Sequence, residues 1–133
     1  MSHLPAPRFL TSRQVRELHR ISLAEHGGLP GIRDPGAVES ALAAAKNVWF
    51  YGSADLHELA AAYAFHLAEC QAFLDGNKRV AAASAVAFLV LNGCADRGRD
   101  RDIYEAMIAI AERRMDRAGL AAVLRGQFPG AAE

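Results

Sequence analysis

Apolar residues in this chain recur at helical spacing over most of its length, and no segment alternates apolar with polar residues as a half-buried strand would. Thr11, with Gln14 three residues on, is a capping-box signature, and Gly27-Gly28 is a stop. Between them Val15, Leu18 and either Ile21 or Ser22 supply a modest stripe. Asp34 followed by Pro35 predicts the next helix start, with Val38, Ala41, Leu42 and Ala45 as its core face. Asp55 and Glu58 predict a third helix, buried along Leu56, Leu59, Tyr63, Leu67 and Cys70. The aromatic segment "NVWFYGSAD" between the second and third lacks helical period. It reads as a loop or a short extended excursion, and a stretch this short decides neither.

From Val80 to Leu91 the chain is apolar on every side, with Ser84 the polar exception, and Asn92-Gly93 has the form of a left-handed cap. An all-round apolar helix is one surrounded by others. "ADRGRDRD" reads as a charged surface loop. Asp102 with Glu105 then predicts a helix whose Ile103, Met107, Ile110 and Ala111 face inward, and a short last helix carries Leu120, Val123 and Leu124. The expected fold is all-α, one domain over 1–133, with about six helices around a central one at roughly 78–92.

Composition narrows the class of protein. A chain of 133 residues can close a single core without staples. Its 52% hydrophobic and 23% charged residues exclude a disordered chain. Fifteen basic residues balance fifteen acidic ones, so no global field recruits nucleic acid or an anionic membrane, and neither is an expected partner. Cys70 and Cys94 lack metal-ligand spacing and lie in apolar helical contexts, as reduced thiols do in a cytosol. The N-terminal "MSHLPAPRF" has no apolar signal core, and no run approaches the roughly 20 residues a membrane helix needs. The expected location is the cytoplasm.

Chemistry concentrates in "CQAFLDGNKR", Cys70 to Arg79, between two of the most apolar runs. Asn77 is a natural N-cap for the helix that follows, which sets Asp75 and Gly76 just ahead of its N-terminus. The first four N–H groups there lack internal partners, and the helix dipole adds about half a positive charge. Gly76 removes the Cβ that would keep a ligand from the backbone. Lys78 and Arg79 add two cations at an end of a helix that disfavours them, a cost that a bound phosphate offsets. Asp75 could hold Mg²⁺ against such phosphates. Ordinary turn chemistry accounts for the same residues, with Lys78 or Arg79 paired to Asp75 or turned to solvent.

"QAFLDGNKR" resembles the signature of the Fic/Doc (Fido) superfamily, His-x-Phe-x-Asp-(Gly/Ala)-Asn-(Gly/Lys)-Arg. Lys78 in place of glycine points to the death-on-curing (Doc) branch, which includes small toxins of toxin–antitoxin pairs. "HGGLPGIRDPG" is similar to the Doc segment after the first helix, and length and helix order match over about residues 9–128. The second arginine of the Fic motif is absent, with Ala82 in its place. The resemblance implies a Fido bundle and ATP-dependent transfer of a phosphoryl group, or of AMP, to a protein hydroxyl. A translation factor is the implied target, and an antitoxin the implied partner. By position, Phe73 anchors the loop and Asp75 positions the metal or the attacking hydroxyl. Gly76, Asn77, Lys78 and Arg79 cradle the phosphates, and "NVWFYG" stands where the family has its target-docking flap. The implied cofactors are ATP and Mg²⁺.

The family's histidine falls on Gln71. That histidine removes the hydroxyl proton, and a glutamine amide does not titrate near neutral pH. Three readings stand. Gln71 orients the hydroxyl while Asp75 or water takes the proton; or the chain is a pseudoenzyme that binds a nucleotide or a partner peptide; or the glutamine is an engineered replacement of the motif histidine. For the loop itself, an anion site without nucleotide selectivity is a further reading. His66 falls on or beside the buried stripe and is expected to be packed and hydrogen-bonded, and His57 solvated. His3, His19 and His26 show no metal-site spacing. Arg33 could lend a guanidinium to the cleft. Trp49, Phe50 and Tyr51 form either a docking edge or a satellite cluster.

Overall fold

The computed structural model describes residues 6–52, 54–96 and 100–130, with the backbone alone at 100 and 101. Among them run six helices: α1 Ser12–His26, α2 Pro35–Phe50, α3 Leu56–Cys70, α4 Asn77–Leu91, α5 Asp100–Ala111 and α6 Arg117–Gln127. The expected all-α bundle is what forms, and among the described residues β-pairing is limited to one isolated bridge, Ile32 with Phe73.

Local chemistry accounts for the helix starts. The Thr11 hydroxyl accepts from the Gln14 N–H while the Gln14 amide oxygen accepts from the Thr11 N–H, closing the predicted capping box. Asp34 caps α2 through the Ala37 N–H, with Pro35 at the first helical position. Asp55 and Glu58 form the box at α3, and Asp116 caps α6 through the Gly119 N–H. Two expectations fail here. The aromatic segment does not leave the helix: α2 continues through Asn47, Val48, Trp49 and Phe50, so "NVWF" is not a flap. Trp49 packs at the core margin and Phe50 meets the Phe9 ring at 6.1 Å, while Phe50 and Tyr51 stay largely exposed. Helix α5 starts at Asp100, not Asp102. Asp102 lies inside it, and its carboxylate accepts from the Gln127 amide at 3.1 Å, tying α5 to α6. Residues 97–99 of the predicted charged loop lie outside the described set.

The core is Ala-rich and closely spaced. Six successive residues of α3, Leu59 to Ala64, are buried, because α2, α4 and α6 all pack on it. Helix α4 lies between α1, α3 and α5, burying Val80, Ala81, Ser84, Ala85, Phe88 and Leu89. Its apolar surface is not wholly covered: Val90 is 48% exposed and lines an open groove with Leu18, Ile21, Val86 and Tyr104. Tyr63 anchors the chain entry, its hydroxyl accepting from the Leu10 N–H at 3.1 Å, and burial raises the pKa of that phenol. His57 is not solvated as expected. Its Nε2 is 2.6 Å from the Phe128 carbonyl oxygen, pinning the segment after α6 to the start of α3. Both cysteines are free thiols, with pKa values raised by burial. No described helix is long and apolar enough to cross a membrane.

Candidate active site

Helix α3 ends with Gln71 in the left-handed conformation (φ 51°, ψ 40°), which turns the chain sharply into the loop 72–76. Phe73 then plunges into the core at 1% exposure. Its ring lies flat on that of His19 from α1, with centroids 3.9 Å apart and planes 18° apart. The His19 Nε2 sits 2.8 Å from the carbonyl oxygen of Asp75, so the N–H donates to the loop backbone. His19 is therefore the brace of the motif loop, and the sequence reading passed over it. The signal was there: His19 is four residues after Val15 and three before Ser22, the two other buried positions of α1.

A second brace comes from the segment after α1. The N–H groups of Arg33 and Asp34 donate to the Ala72 carbonyl at 2.7 and 3.1 Å, and the Leu74 N–H donates to Gly31 at 3.2 Å. Strand-like pairing to the motif loop thus comes from residues 31–34. Arg33 does not reach the cleft; its guanidinium donates to the Gln71 carbonyl at 3.0 Å and holds the turn.

Asn77 departs from its expected role. The N-cap of α4 is Gly76, at φ 77°, and no side chain caps this helix. Asn77 is the first helical residue, and its amide reaches back four positions. Its oxygen accepts from the Phe73 N–H at 3.1 Å and its nitrogen donates to the Phe73 carbonyl at 3.0 Å. The residue that could have closed the helix end is spent on the loop, so the first turn of α4 keeps its N–H groups for another acceptor.

The polar residues of the motif face different ways. Asp75 is exposed, and its carboxylate accepts from the Gly76 N–H at 2.8 Å and the Leu29 N–H at 3.2 Å. It forms no ion pair with Lys78 or Arg79 among the described residues. Lys78 and Gln71 line an open cleft of ≈ 1180 Å³ whose apolar wall includes Phe65, Met107, Ile110 and Met115. Ile110 and Ala111, expected to point inward, line this cleft as well. The Gln71 amide nitrogen donates to the Ala68 carbonyl at 3.1 Å, which fixes the side chain at the cleft edge. Arg79 is on the other side of α4, its guanidinium 5.7 Å from the centre of the Tyr104 ring, in the groove between α1, α4 and α5.

Among the described residues no histidine lines the cleft of Gln71 and Lys78. His66 is half-buried, edge-on to Phe65 at 5.6 Å, in a separate groove with Asp34, Glu69 and Cys70. Burial and the Arg117 charge lower its pKa, against a smaller opposing pull from Glu69. Among the described residues no cluster of three or more His, Cys, Asp or Glu side chains could hold a metal ion. A Mg²⁺ that arrives on phosphates needs less, one or two carboxylates plus phosphate oxygens and water. Asp75 fits that, since each carboxylate oxygen has accepted one N–H and retains a lone pair.

Comparison with known proteins agrees with the motif. The model of the Fic/DOC family matches residues 9–89, more than half of the chain. "Protein kinase doc" of Escherichia phage P1 is 36% identical over 87 residues, covering 65% of this chain and 69% of that protein. The matched region runs from the N-terminal segment through α4 and contains both braces as well as the loop they hold, and on this ground the chain belongs to the Fic/DOC family, in its Doc branch.

Proposed function

We propose that this chain is a Doc-like, ATP-dependent transferase that moves the γ-phosphoryl group to a hydroxyl of a target protein, as the toxin of a toxin–antitoxin pair in the cytoplasm. The observation that carries the reading is the uncapped N-terminus of α4, beside a lysine that faces the same cleft as Gln71. Helices α1, α2, α3 and α6 each have a side-chain cap. At α4 the N–H groups, the dipole and Lys78 are left for an anion, and the apolar wall of the cleft suits a nucleoside. The name of the phage relative, a protein kinase, favours the phosphoryl group over AMP.

In this mechanism the target hydroxyl oxygen attacks the γ-phosphorus, the bond from that phosphorus to the β–γ bridging oxygen breaks, and ADP leaves. Lys78 and the α4 N–H groups hold the phosphates in line. The Gln71 amide nitrogen is engaged with Ala68, and its oxygen orients the hydroxyl by accepting its hydrogen bond. The proton passes to water, since Asp75 is turned to the Leu29 and Gly76 N–H groups and does not line this cleft. Asp75 would hold the Mg²⁺, which would offset negative charge on the phosphates. Phosphoryl transfer through a loose transition state depends mainly on position and charge, so it runs without a strong base at residue 71.

A second reading rests on the cleft having no histidine among the described residues: a pocket that binds nucleotide or a partner peptide without transfer. One experiment separates the two. The chain is incubated with host lysate and Mg²⁺-ATP labelled on the γ- or the α-phosphate, beside a Lys78→Ala variant. A γ-labelled protein band that Lys78→Ala removes is the expected result. An α-labelled band makes the transferred group AMP. ATP binding by calorimetry without any band makes the chain a binding module, and no binding at all overturns both.

A further inference from the structure

Two non-glycine residues in the described structure have positive φ, Gln71 at 51° and Arg113 at 61°, and both line the same cleft. For a residue with a Cβ this conformation is strained, and glycine ordinarily fills it. Arg113 sits at a position with a strong glycine preference. Helix α5 ends in a Schellman motif: the Arg114 N–H donates to the Ala109 carbonyl at 2.7 Å and the Arg113 N–H to that of Ile110 at 3.0 Å. Helix α4 ends in the same motif, with Cys94 on Leu89 and Gly93 on Val90, and there the left-handed residue is a glycine at φ 92°. The fold thus makes one turn twice, once with glycine and once with a long cation over the cleft.

The charge in the cleft gives that cation a purpose. Of the two cations in the motif loop, Lys78 lines the cleft and Arg79 is turned onto Tyr104. The position three after Arg79 is Ala82, in the other groove. One lysine and a helix N-terminus are few groups for a triphosphate. Arg114 lines the cleft too, but its guanidinium is paired with Glu112 at 2.6 Å. Arg113 forms no ion pair among the described residues. Its planar fork matches phosphate oxygens two at a time.

We infer that Arg113 is a phosphate-binding residue, reaching the nucleotide polyphosphate from the α5–α6 turn across from Lys78. The inference rests on the nucleotide reading of the cleft. It has a signature that a structural arginine lacks: Arg113→Gly relieves the strained turn, so the unligated protein should become more stable while binding weakens.

The test is calorimetry with Mg²⁺-ATP and with inorganic tripolyphosphate at fixed salt, plus thermal unfolding without ligand. Arg113→Gly is expected to raise the midpoint by about 3 °C and weaken both ligands about tenfold or more. Arg113→Asn, which tolerates the left-handed turn, should lose binding likewise, and Arg113→Lys should recover part of it as a point charge. Unchanged ATP affinity in Arg113→Gly, with Lys78→Ala still abolishing it, overturns this role and leaves the nucleotide reading intact. Lost stability in both the Gly and Asn variants makes the residue structural and overturns it as well. No ATP or tripolyphosphate binding by the unmutated chain removes the inference together with the reading beneath it.

Discussion

Gln71 is held by three features, none of which needs a histidine: its left-handed backbone, the Arg33 guanidinium on its carbonyl and the Ala68 carbonyl on its amide. An imidazole at this position would occupy an already shaped corner of the cleft. Gln71→His is therefore expected to raise the rate of label transfer, by about 10² or more if general base catalysis is what the chain lacks. An unchanged rate, with Asp75→Ala abolishing transfer, would show that the proton leaves by another route. Asn77 makes a different kind of demand. Its two hydrogen bonds to Phe73 are lost together in Asn77→Ala, leaving a buried residue's N–H and C=O short of partners. The expected cost is about 2 kcal/mol in denaturant unfolding, with a larger fractional loss of transfer than of stability. The sequence placed Asn77 at the right helix end with the wrong task. A cap and a backward clamp use the same amide, and only the loop path decides between them.

Elements divide by how local their cause is. Caps written within four residues were legible: Thr11 with Gln14, Asp34 with Pro35, Asp55 with Glu58 and the Asn92-Gly93 stop all form where read. The limits of α2 and α5 were not, because aromatic and charged runs without period carry no local signal of where a helix ends or begins. For the braces of the motif loop, the burial of His19 was legible from its spacing, but the partners were not. His19 and Arg33 act across 56 and 38 residues of sequence. Asp55 joins the two kinds, capping α3 locally and meeting Arg125 of α6 at 2.8 Å. Burial raises its pKa, but the Glu58 N–H and the Arg125 guanidinium outweigh that and hold it below the ordinary carboxylate range. Asp55→Ala should cost about 1 kcal/mol through the cap, the exposed ion pair adding little. Since the folded carboxyl is the stronger acid, this contribution is complete above the unfolded pKa of about 4 and fades as pH falls through the lower folded value. Urea midpoints of the two proteins should differ at pH 7 and converge near pH 2.

Over the whole molecule, the motif loop is fastened from both sides to a core that was largely readable, while its reactive faces open onto separate clefts. The same packing gives stability a pH dependence. His66 is set against α2 beside Asp34, Glu69 and Cys70, with Arg117 of α6 acting on it. Burial and that arginine lower its folded pKa, so between the folded value and the unfolded value of about 6.5 the unfolded chain binds more protons. Stability attributable to His66 is thus present above the unfolded pKa and lost as pH falls through the folded one. The unmutated chain should melt at a lower temperature at pH 5.5 than at pH 7.5. His66→Gln, which cannot take up the proton, should show a smaller difference over the same interval. An equal difference in both proteins would show that His66 does not carry the pH dependence.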